Sequence, residues 1–162
     1  MNTEDAHTWG RLASDIEDTV SDAYNAFRAL SEEAASHRKT LGDWSPKEII
    51  GHLIDSASNN HQRFVRLQVA DGLDFPDYQQ DNTAWVKIQR YHEASWKDLL
   101  DLWRCFNRHL ARIIRDVDTR TVDHVWVKDA DTTFTLGQLM TDYLRHLKAH
   151  IVQINECMTA WV

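Results

Sequence analysis

The stretch TLGQLMTDYLRHLKAHIVQI, residues 135–154, decides both the fold and the site of this chain. Its apolar residues recur every three or four positions, which is typical of an amphipathic α-helix that buries one face. Thr135 and Gln138 form a capping-box pattern at its start. His146 and His150 stand four residues apart, so a helix places both on one edge of the apolar face. Two imidazoles in this arrangement can hold one metal ion.

Three further long segments have the same helical periodicity. The four predicted helices run from about Thr8 to Ser36, from Pro46 to about Ala70, from Trp96 to about Asp116, and from Thr135 to about Trp161. The second has the clearest start, because Ser45 fits an N-cap, proline follows at the first helical position, and Glu48 completes a capping box.

The connections between these helices are long. Residues 71–83 contain Gly72, Pro76 and several acids and are predicted to form a loop, followed by a short helix from Trp85 to Tyr91. Residues 124–136 alternate weakly around a polar centre, which predicts a small hairpin. We therefore predict an all-α fold for residues 1–162, a single four-helix-bundle domain with long crossover connections before its third and fourth helices.

Composition narrows the class of protein. A chain of 162 residues can bury one full hydrophobic core. Its formal net charge of −7 repels phosphate backbones and anionic membranes, so nucleic acid and membrane surfaces are not expected as partners. No apolar run is long enough to span a bilayer, and the polar N-terminal residues lack the apolar core of a signal peptide. Cys105 and Cys157 form no CxxC pair, which together with these features favours reduced thiols in the cytoplasm.

A third histidine changes the meaning of the pair in the last helix. His52 lies at the edge of the apolar face of the second helix, and a polar stripe continues from it through Asn59 and Arg63. If the polar edges of the two helices face each other, three imidazoles meet and leave further coordination positions open, as in catalytic metal sites. Imidazole binds zinc, nickel, copper and iron. The alternative remains open, because most histidine pairs of this spacing bind nothing.

Metal-bound histidines usually donate their second ring N–H to a carboxylate, amide or carbonyl. Four residues are candidates by position: Asp142, Asp55, Asn59 and Gln153. Asp142 is the favoured one, since it precedes His146 by one helical turn on the same edge. Arg63, the only evident basic residue on the face that carries His52, is a further candidate for a role beside the metal.

Several motifs resemble one known family. The matching pieces are WSPKEIIGHL at 44–53, FPDYQQDNTAW at 75–85, Tyr91, and the stretch at 135–154. Together they resemble the DinB/YfiT-like superfamily of metal-binding four-helix bundles. The resemblance implies that His52, His146 and His150 hold one divalent metal ion, nickel, zinc or iron, with water completing the shell. Many members carry H-x-x-H-H in the last helix, and this chain has Ala149 in place of the second of these three histidines.

The family also implies a range of activities. Its characterised members include transferases and isomerases that use a low-molecular-weight thiol, and others are described as metal-dependent hydrolases. We therefore expect a metal-dependent enzyme that acts on a small molecule, with a low-molecular-weight thiol as a further candidate cofactor. The alternative is a non-enzymatic metal-binding or stress-response bundle. The tryptophan content and the family both favour a homodimer.

Overall fold

The computed structural model describes residues 3–74 and 80–161 and confirms the predicted four-helix bundle. The four long helices are α1 (Thr3–Phe27), α3 (Pro46–Val69), α5 (Trp96–Arg115) and α6 (Leu136–Trp161). Two short helices, α2 (Glu32–Ser36) and α4 (Asn82–Ile88), and single 3-10 turns at Tyr91–Glu93 and Thr119–Thr121 lie in the connections. Three short strands complete the described part of the chain: β1 (Leu73–Asp74), β2 (Val125–Asp129) and β3 (Thr132–Thr135).

The order of the helices around the bundle differs from their order along the chain. Both α1 and α3 pack mainly against α5 and α6, so α1 lies diagonally opposite α3, and α5 opposite α6. The connection at 116–135 therefore crosses the bundle, as predicted. The connection at 28–45 also crosses it, whereas the long segment 70–95 joins the neighbours α3 and α5, contrary to the expectation of a crossover before the third long helix.

The core lies between the four long helices and follows the predicted periodicity. Its largest fully buried side chains include Phe27, Phe64, Trp103, Leu110 and Leu136. The apolar stripe of α5 is not buried throughout: Leu99 and Trp103 are buried, but Leu102 is 52% exposed.

The first predicted helix is divided in two. α1 ends at Phe27, whose backbone carbonyl accepts a hydrogen bond from the indole N–H of Trp96 at 3.0 Å. Ser31 then caps α2 by accepting a hydrogen bond from the backbone N–H of Ala34 at 3.1 Å. A serine at this position favours the start of a new helix over the continuation of α1, because its hydroxyl caps a backbone N–H group.

The predicted short helix begins earlier than expected. The Asp81 carboxylate caps α4 by accepting a hydrogen bond from the Ala84 N–H at 3.0 Å. The helical turns end before Arg90, which has a left-handed backbone with φ of 54°. Of the motif at 75–85, residues 75–79 lie outside the described residues.

The predicted hairpin is present and belongs to a three-stranded sheet. β2 pairs with β3 antiparallel, and β1 adds to β2 in parallel, with Leu73 opposite Trp126. The Asp71 carboxylate holds this junction, since it accepts a hydrogen bond from the Val125 N–H at 2.8 Å. β2 contacts α3 and β3 contacts α6, so the sheet lies against both helices. Among the described helices, none combines the length and the apolar composition that crossing a membrane requires.

Candidate metal centre

Three histidines from two helices meet inside the bundle. His52 comes from α3 and is buried, with 6% of its surface exposed, and His146 and His150 come from α6 and are half-buried. The Nε2 atoms of His52 and His146 are 3.4 Å apart, and those of His146 and His150 are 3.1 Å apart. One ligand atom from each ring lies within 4.8 Å of the other two. The structure thus brings together the three histidines that the sequence singled out.

The spacing of these nitrogens suits a single metal ion. Nitrogen ligands about 2.05 Å from a tetrahedral zinc ion lie about 3.3 Å from each other. The two Nε2 separations, 3.1 and 3.4 Å, bracket that value. Three imidazole lone pairs so close together repel one another unless a proton or a cation lies between them. The donor set therefore fits a divalent ion that accepts imidazole ligands.

The outer nitrogens of two of the rings are held by polar side chains. The Nδ1–H of His150 donates to Gln153 Oε1 at 2.9 Å, which leaves the Nε2 lone pair directed at the cluster. The Nδ1 atom of His146 lies 3.5 Å from Ser56 Oγ. His52 Nδ1 is buried and has no hydrogen-bond partner among the described residues, and its ring packs against Trp44 at 5.1 Å between centroids.

Burial keeps two of these rings neutral. Removal from water and, to a smaller extent, the nearby His150 and His146 rings together lower the pKa of His52 to about 4. Burial likewise lowers the pKa of His146 to about 4, with a further contribution from His150. Both rings therefore have lone pairs available at neutral pH, which is the form that binds a metal.

The start of α3 is fixed by a buried network. Ser45 and Glu48 form the predicted capping box, in which the Ser45 N–H donates to the Glu48 carboxylate at 2.8 Å. Arg38 binds the same carboxylate through two nitrogens at 2.6 and 2.9 Å. This network lies one helical turn before His52 and sets the position from which that ring extends.

A second contact beside His52 holds α3 in place, at the preceding residue, Gly51. The ring of Tyr91 packs directly on Gly51, where an added Cβ would lie 2.1 Å from the tyrosine ring. The Tyr91 hydroxyl donates to the Asp55 carboxylate at 2.8 Å, and the Gln89 amide donates to it at the same distance. Asp55, one of the candidate acceptors for a histidine N–H, therefore binds the segment after α4 instead.

The other predicted residues surround the cluster at greater distance. Asn59 donates to Gln80 at 2.8 Å, and the Arg63 guanidinium stacks on the Trp126 ring at 4.0 Å from the ring centroid. The Asp142 carboxylate is 59% exposed and accepts a hydrogen bond from Arg145 rather than from a ring nitrogen. Its charge still raises the pKa of His146, and its role beside the metal ligands stays a prediction.

Ser56 was not singled out from the sequence. The available signal was its position four residues after His52, on the same face of the helix. Trp85, the last residue of the motif at 75–85, is 36% exposed and lines neither cavity beside the cluster. His61 lies away from the cluster, with its ring 5.3 Å from that of His109. Both cysteines are free thiols.

Two cavities adjoin the cluster. The larger, of about 890 Å³, includes His146 in its wall, and the smaller, of about 320 Å³, includes His52 and Asn59. Ser56 and Arg63 line both cavities, so the two meet beside the histidines. The cluster is therefore bordered by one cavity at His146 and by another at His52.

Comparisons with known proteins agree with this geometry. The structure is similar to that of YfiT from Bacillus subtilis, described as a probable metal-dependent hydrolase with an unusual four-helix bundle topology. The TM-score is 0.78 at 18% sequence identity, over 97% of this chain and 87% of that one, so the likeness shows a shared fold. No curated protein sequence matches the chain. The sequence profile of the DinB superfamily matches residues 15–154. The chain therefore belongs to the DinB superfamily.

Proposed function

We propose that this protein is a metal-dependent enzyme that acts on a small molecule, with His52, His146 and His150 as the ligands of one divalent ion. The observation that carries the proposal is the convergence of three imidazole nitrogens beside two cavities. The Nε2 atom of His146 lies 3.1 Å from that of His150 and 3.4 Å from that of His52. Nickel, zinc and iron all accept this donor set. The description of YfiT as a probable metal-dependent hydrolase supports the same class of activity.

The chain's own residues prepare the site for this chemistry. Gln153 fixes the tautomer of His150, and burial keeps His52 and His146 neutral, so three lone pairs face one point. Three protein ligands leave a position for a water molecule, a thiol or a substrate oxygen. A bound divalent ion would lower the pKa of such a water or thiol and polarise a substrate carbonyl. Hydrolysis and thiol-dependent transfer are the two reactions that this arrangement serves.

Metal content tests the proposal directly. Protein purified without a histidine tag is dialysed against nickel, zinc or iron(II), and bound metal is measured by elemental analysis. We expect one ion per chain in the wild type and loss of stoichiometric binding in His52→Ala, His146→Ala and His150→Ala. His61→Ala is the matched control, because His61 lies on α3 but outside the cluster. Equal metal content in all of these variants would rule out the site.

Cobalt substitution tests whether the metal has an open coordination position. Together with a turnover screen it distinguishes an enzyme from a protein that only binds metal. We expect added 2-mercaptoethanol or azide to change the visible spectrum of the cobalt-loaded protein, since an open position admits a thiolate or a small anion. A turnover screen with thiols, electrophiles and ester or amide substrates then follows. A loaded protein that admits no exogenous ligand and turns over no substrate would favour the non-enzymatic metal-binding or stress-response alternative.

A further inference from the structure

The smaller cavity beside the histidines has a wall of uncharged polar side chains. Four carboxamides line it: Asn59 and Asn60 come from α3, Gln80 from the segment before α4, and Asn82 from the first position of α4. His52 lines the same cavity, so a group bound there lies beside one of the candidate metal ligands. We call this space the amide cavity.

Three of these carboxamides form a hydrogen-bonded chain between the two helices. Asn59 Nδ2 donates to Gln80 Oε1 at 2.8 Å, and Gln80 Nε2 donates to Asn82 Oδ1 at 2.9 Å. A carboxamide has two N–H donors and an oxygen with two lone pairs, so the chain uses only part of their capacity. Among the described residues, none donates to Asn59 Oδ1 and none accepts from Asn82 Nδ2.

Asn60 adds a further acceptor to the wall. Its Nδ2 donates to the backbone carbonyl of Ser56 at 2.9 Å, while its Oδ1 has no donor within the described part of the chain. The amide cavity therefore offers both N–H donors and carbonyl acceptors to a bound molecule. A molecule that only accepts hydrogen bonds would cover these carbonyl oxygens and leave them unpaired, which costs free energy.

The amide cavity contributes little charge that could bind an ion. Among its described lining residues none is acidic, and Arg63 is the only one with a permanent charge. The Arg63 guanidinium stacks on the Trp126 ring at 4.0 Å from the ring centroid and has a further interaction, so we assign it no part in the binding. The net charge of −7 also repels anions at long range. The wall therefore suits an uncharged group that both donates and accepts hydrogen bonds.

The amide cavity adjoins the larger cavity. Ser56 and Asn60 line both of them. The volume of the amide cavity, about 320 Å³, suits one group of a small molecule. The rest of such a molecule can extend into the larger cavity, where Trp126 and Phe134 are among the lining residues.

We infer that the amide cavity binds an uncharged carboxamide group of the substrate, with Asn59 and Gln80 as specificity-determining residues. The N–H groups of the bound carboxamide donate to carbonyl oxygens of the wall, and its carbonyl accepts from an N–H of the chain. An ester of similar shape has no N–H to donate, and a carboxylate also carries a charge. This inference rests on the proposed function only where it takes the group beside His52 as part of a substrate.

Titrations followed by NMR test the inference with three matched probes. Phenylacetamide, methyl phenylacetate and phenylacetate share one ring and differ only in the polar group. We expect wild-type protein to bind the amide about 3- to 10-fold more tightly than the ester, which corresponds to about one net hydrogen bond. Phenylacetamide should also shift the side-chain amide signals of Asn59 and Gln80 in isotope-labelled protein.

Variants of the chain show whether these side chains cause the preference. Asn59→Leu should remove it, because the substitution takes a donor and an acceptor from the wall and breaks the hydrogen bond to Gln80. Gln62→Leu is the matched control and should keep it, since Gln62 is an exposed carboxamide of α3 that lines neither cavity beside the histidines. Gln80→Leu leaves α3 unchanged and should reduce the preference as well.

Four results would overturn the inference. Wild-type protein could bind none of the probes, or bind the ester as tightly as the amide. Folded Asn59→Leu and Gln80→Leu could both keep the full preference. Metal-free protein could bind phenylacetate more tightly than phenylacetamide, which would mean that a positive charge rather than the carboxamide chain selects the ligand.

The amide and the ester are compared in metal-free and in zinc-loaded protein. We expect the preference for the amide in both forms, because the chain of carboxamides contains no metal ligand. A preference that persists in a protein that binds no metal would support the inferred group while the proposed function fails. Stoichiometric metal binding without any preference for the amide would give the opposite result.

Discussion

Gln153 and Ser56 show why the second nitrogen of an imidazole matters at the scale of single residues. A metal ligand must present a lone pair, and the partner of its other nitrogen selects the tautomer that does so. Gln153 Oε1 accepts the Nδ1–H of His150 at 2.9 Å, while Ser56 Oγ is 3.5 Å from Nδ1 of His146. The stronger constraint therefore acts on His150.

The first prediction concerns these outer partners. Gln153→Leu should weaken metal affinity by about 10- to 100-fold, because it removes the acceptor that orients His150. Asp142→Asn should weaken it less, since the Asp142 carboxylate binds Arg145 and acts on His146 only through its charge. Competition with a chromogenic chelator measures both affinities. A larger effect of Asp142→Asn than of Gln153→Leu would support the sequence-based prediction that Asp142 accepts the second N–H of a metal-bound histidine.

The second prediction concerns the stability of the metal-free protein against pH. The pKa values of His52 and His146 fall from the usual 6.5 to about 4 on folding. Between these values the unfolded chain binds protons that the folded chain does not, so stability falls as pH drops from 6.5 to 4. The double variant His52→Gln and His146→Gln should show a shallower fall in urea titrations over this window.

Other groups also titrate between pH 6.5 and 4, so the wild type and the double variant must be compared over the same pH range. Burial raises the pKa of Asp55, which acts in the opposite direction, but this contribution is common to the wild type and the variant. The difference between their two pH profiles therefore isolates the histidines. Parallel profiles would contradict the prediction.

At the scale of the element, α3 shows what the sequence could and could not predict. Its start was predictable because a capping box is a local interaction among four consecutive residues. The contact between Tyr91 and Gly51 was not, because it joins residues forty positions apart. The sequence also failed to predict the break after Phe27, whose carbonyl accepts a hydrogen bond from Trp96, 69 positions away.

The third prediction tests this contact. Gly51→Ala places a Cβ 2.1 Å from the Tyr91 ring, so the ring must move and the anchor beside His52 is lost. We expect destabilisation by about 1–3 kcal/mol in urea unfolding and weaker metal binding. Gly10→Ala is the matched control, since no side chain lies within 4 Å of an added Cβ there. It should be neutral or stabilising by up to about 1 kcal/mol. Equal effects of the two substitutions would contradict the anchoring role.

At the scale of the whole molecule, local sequence patterns could not determine the topology, that is, which helices lie next to each other. Helix periodicity identifies four amphipathic segments but does not say which faces meet. Here the diagonal placement of α1 against α3 and of α5 against α6 brings α3 beside α6. That pairing assembles the site from residues 94 and 98 positions apart, His52 with His146 and His150. The predicted homodimer stays a prediction that sedimentation analysis can test.

The fourth prediction follows from this assembly. Because the ligands lie on two helices that pack together only in the folded chain, a metal that binds the folded state alone stabilises the whole bundle by mass action. At a free metal concentration about 100 times the dissociation constant, the gain is about 2.7 kcal/mol. For a chain of this size we expect the melting temperature to rise by roughly 5–10 °C.

Thermal unfolding of tag-free protein, with metal or with chelator, measures this rise. His61→Ala should show the full shift, since its imidazole lies outside the cluster, beside His109. His146→Ala should show little, because the two imidazoles that remain, His52 and His150, bind the metal much more weakly than three. A shift of the same size in His146→Ala would mean that metal stabilises the chain through another site. No shift in the wild type would mean that the three histidines do not link the two helices through a metal.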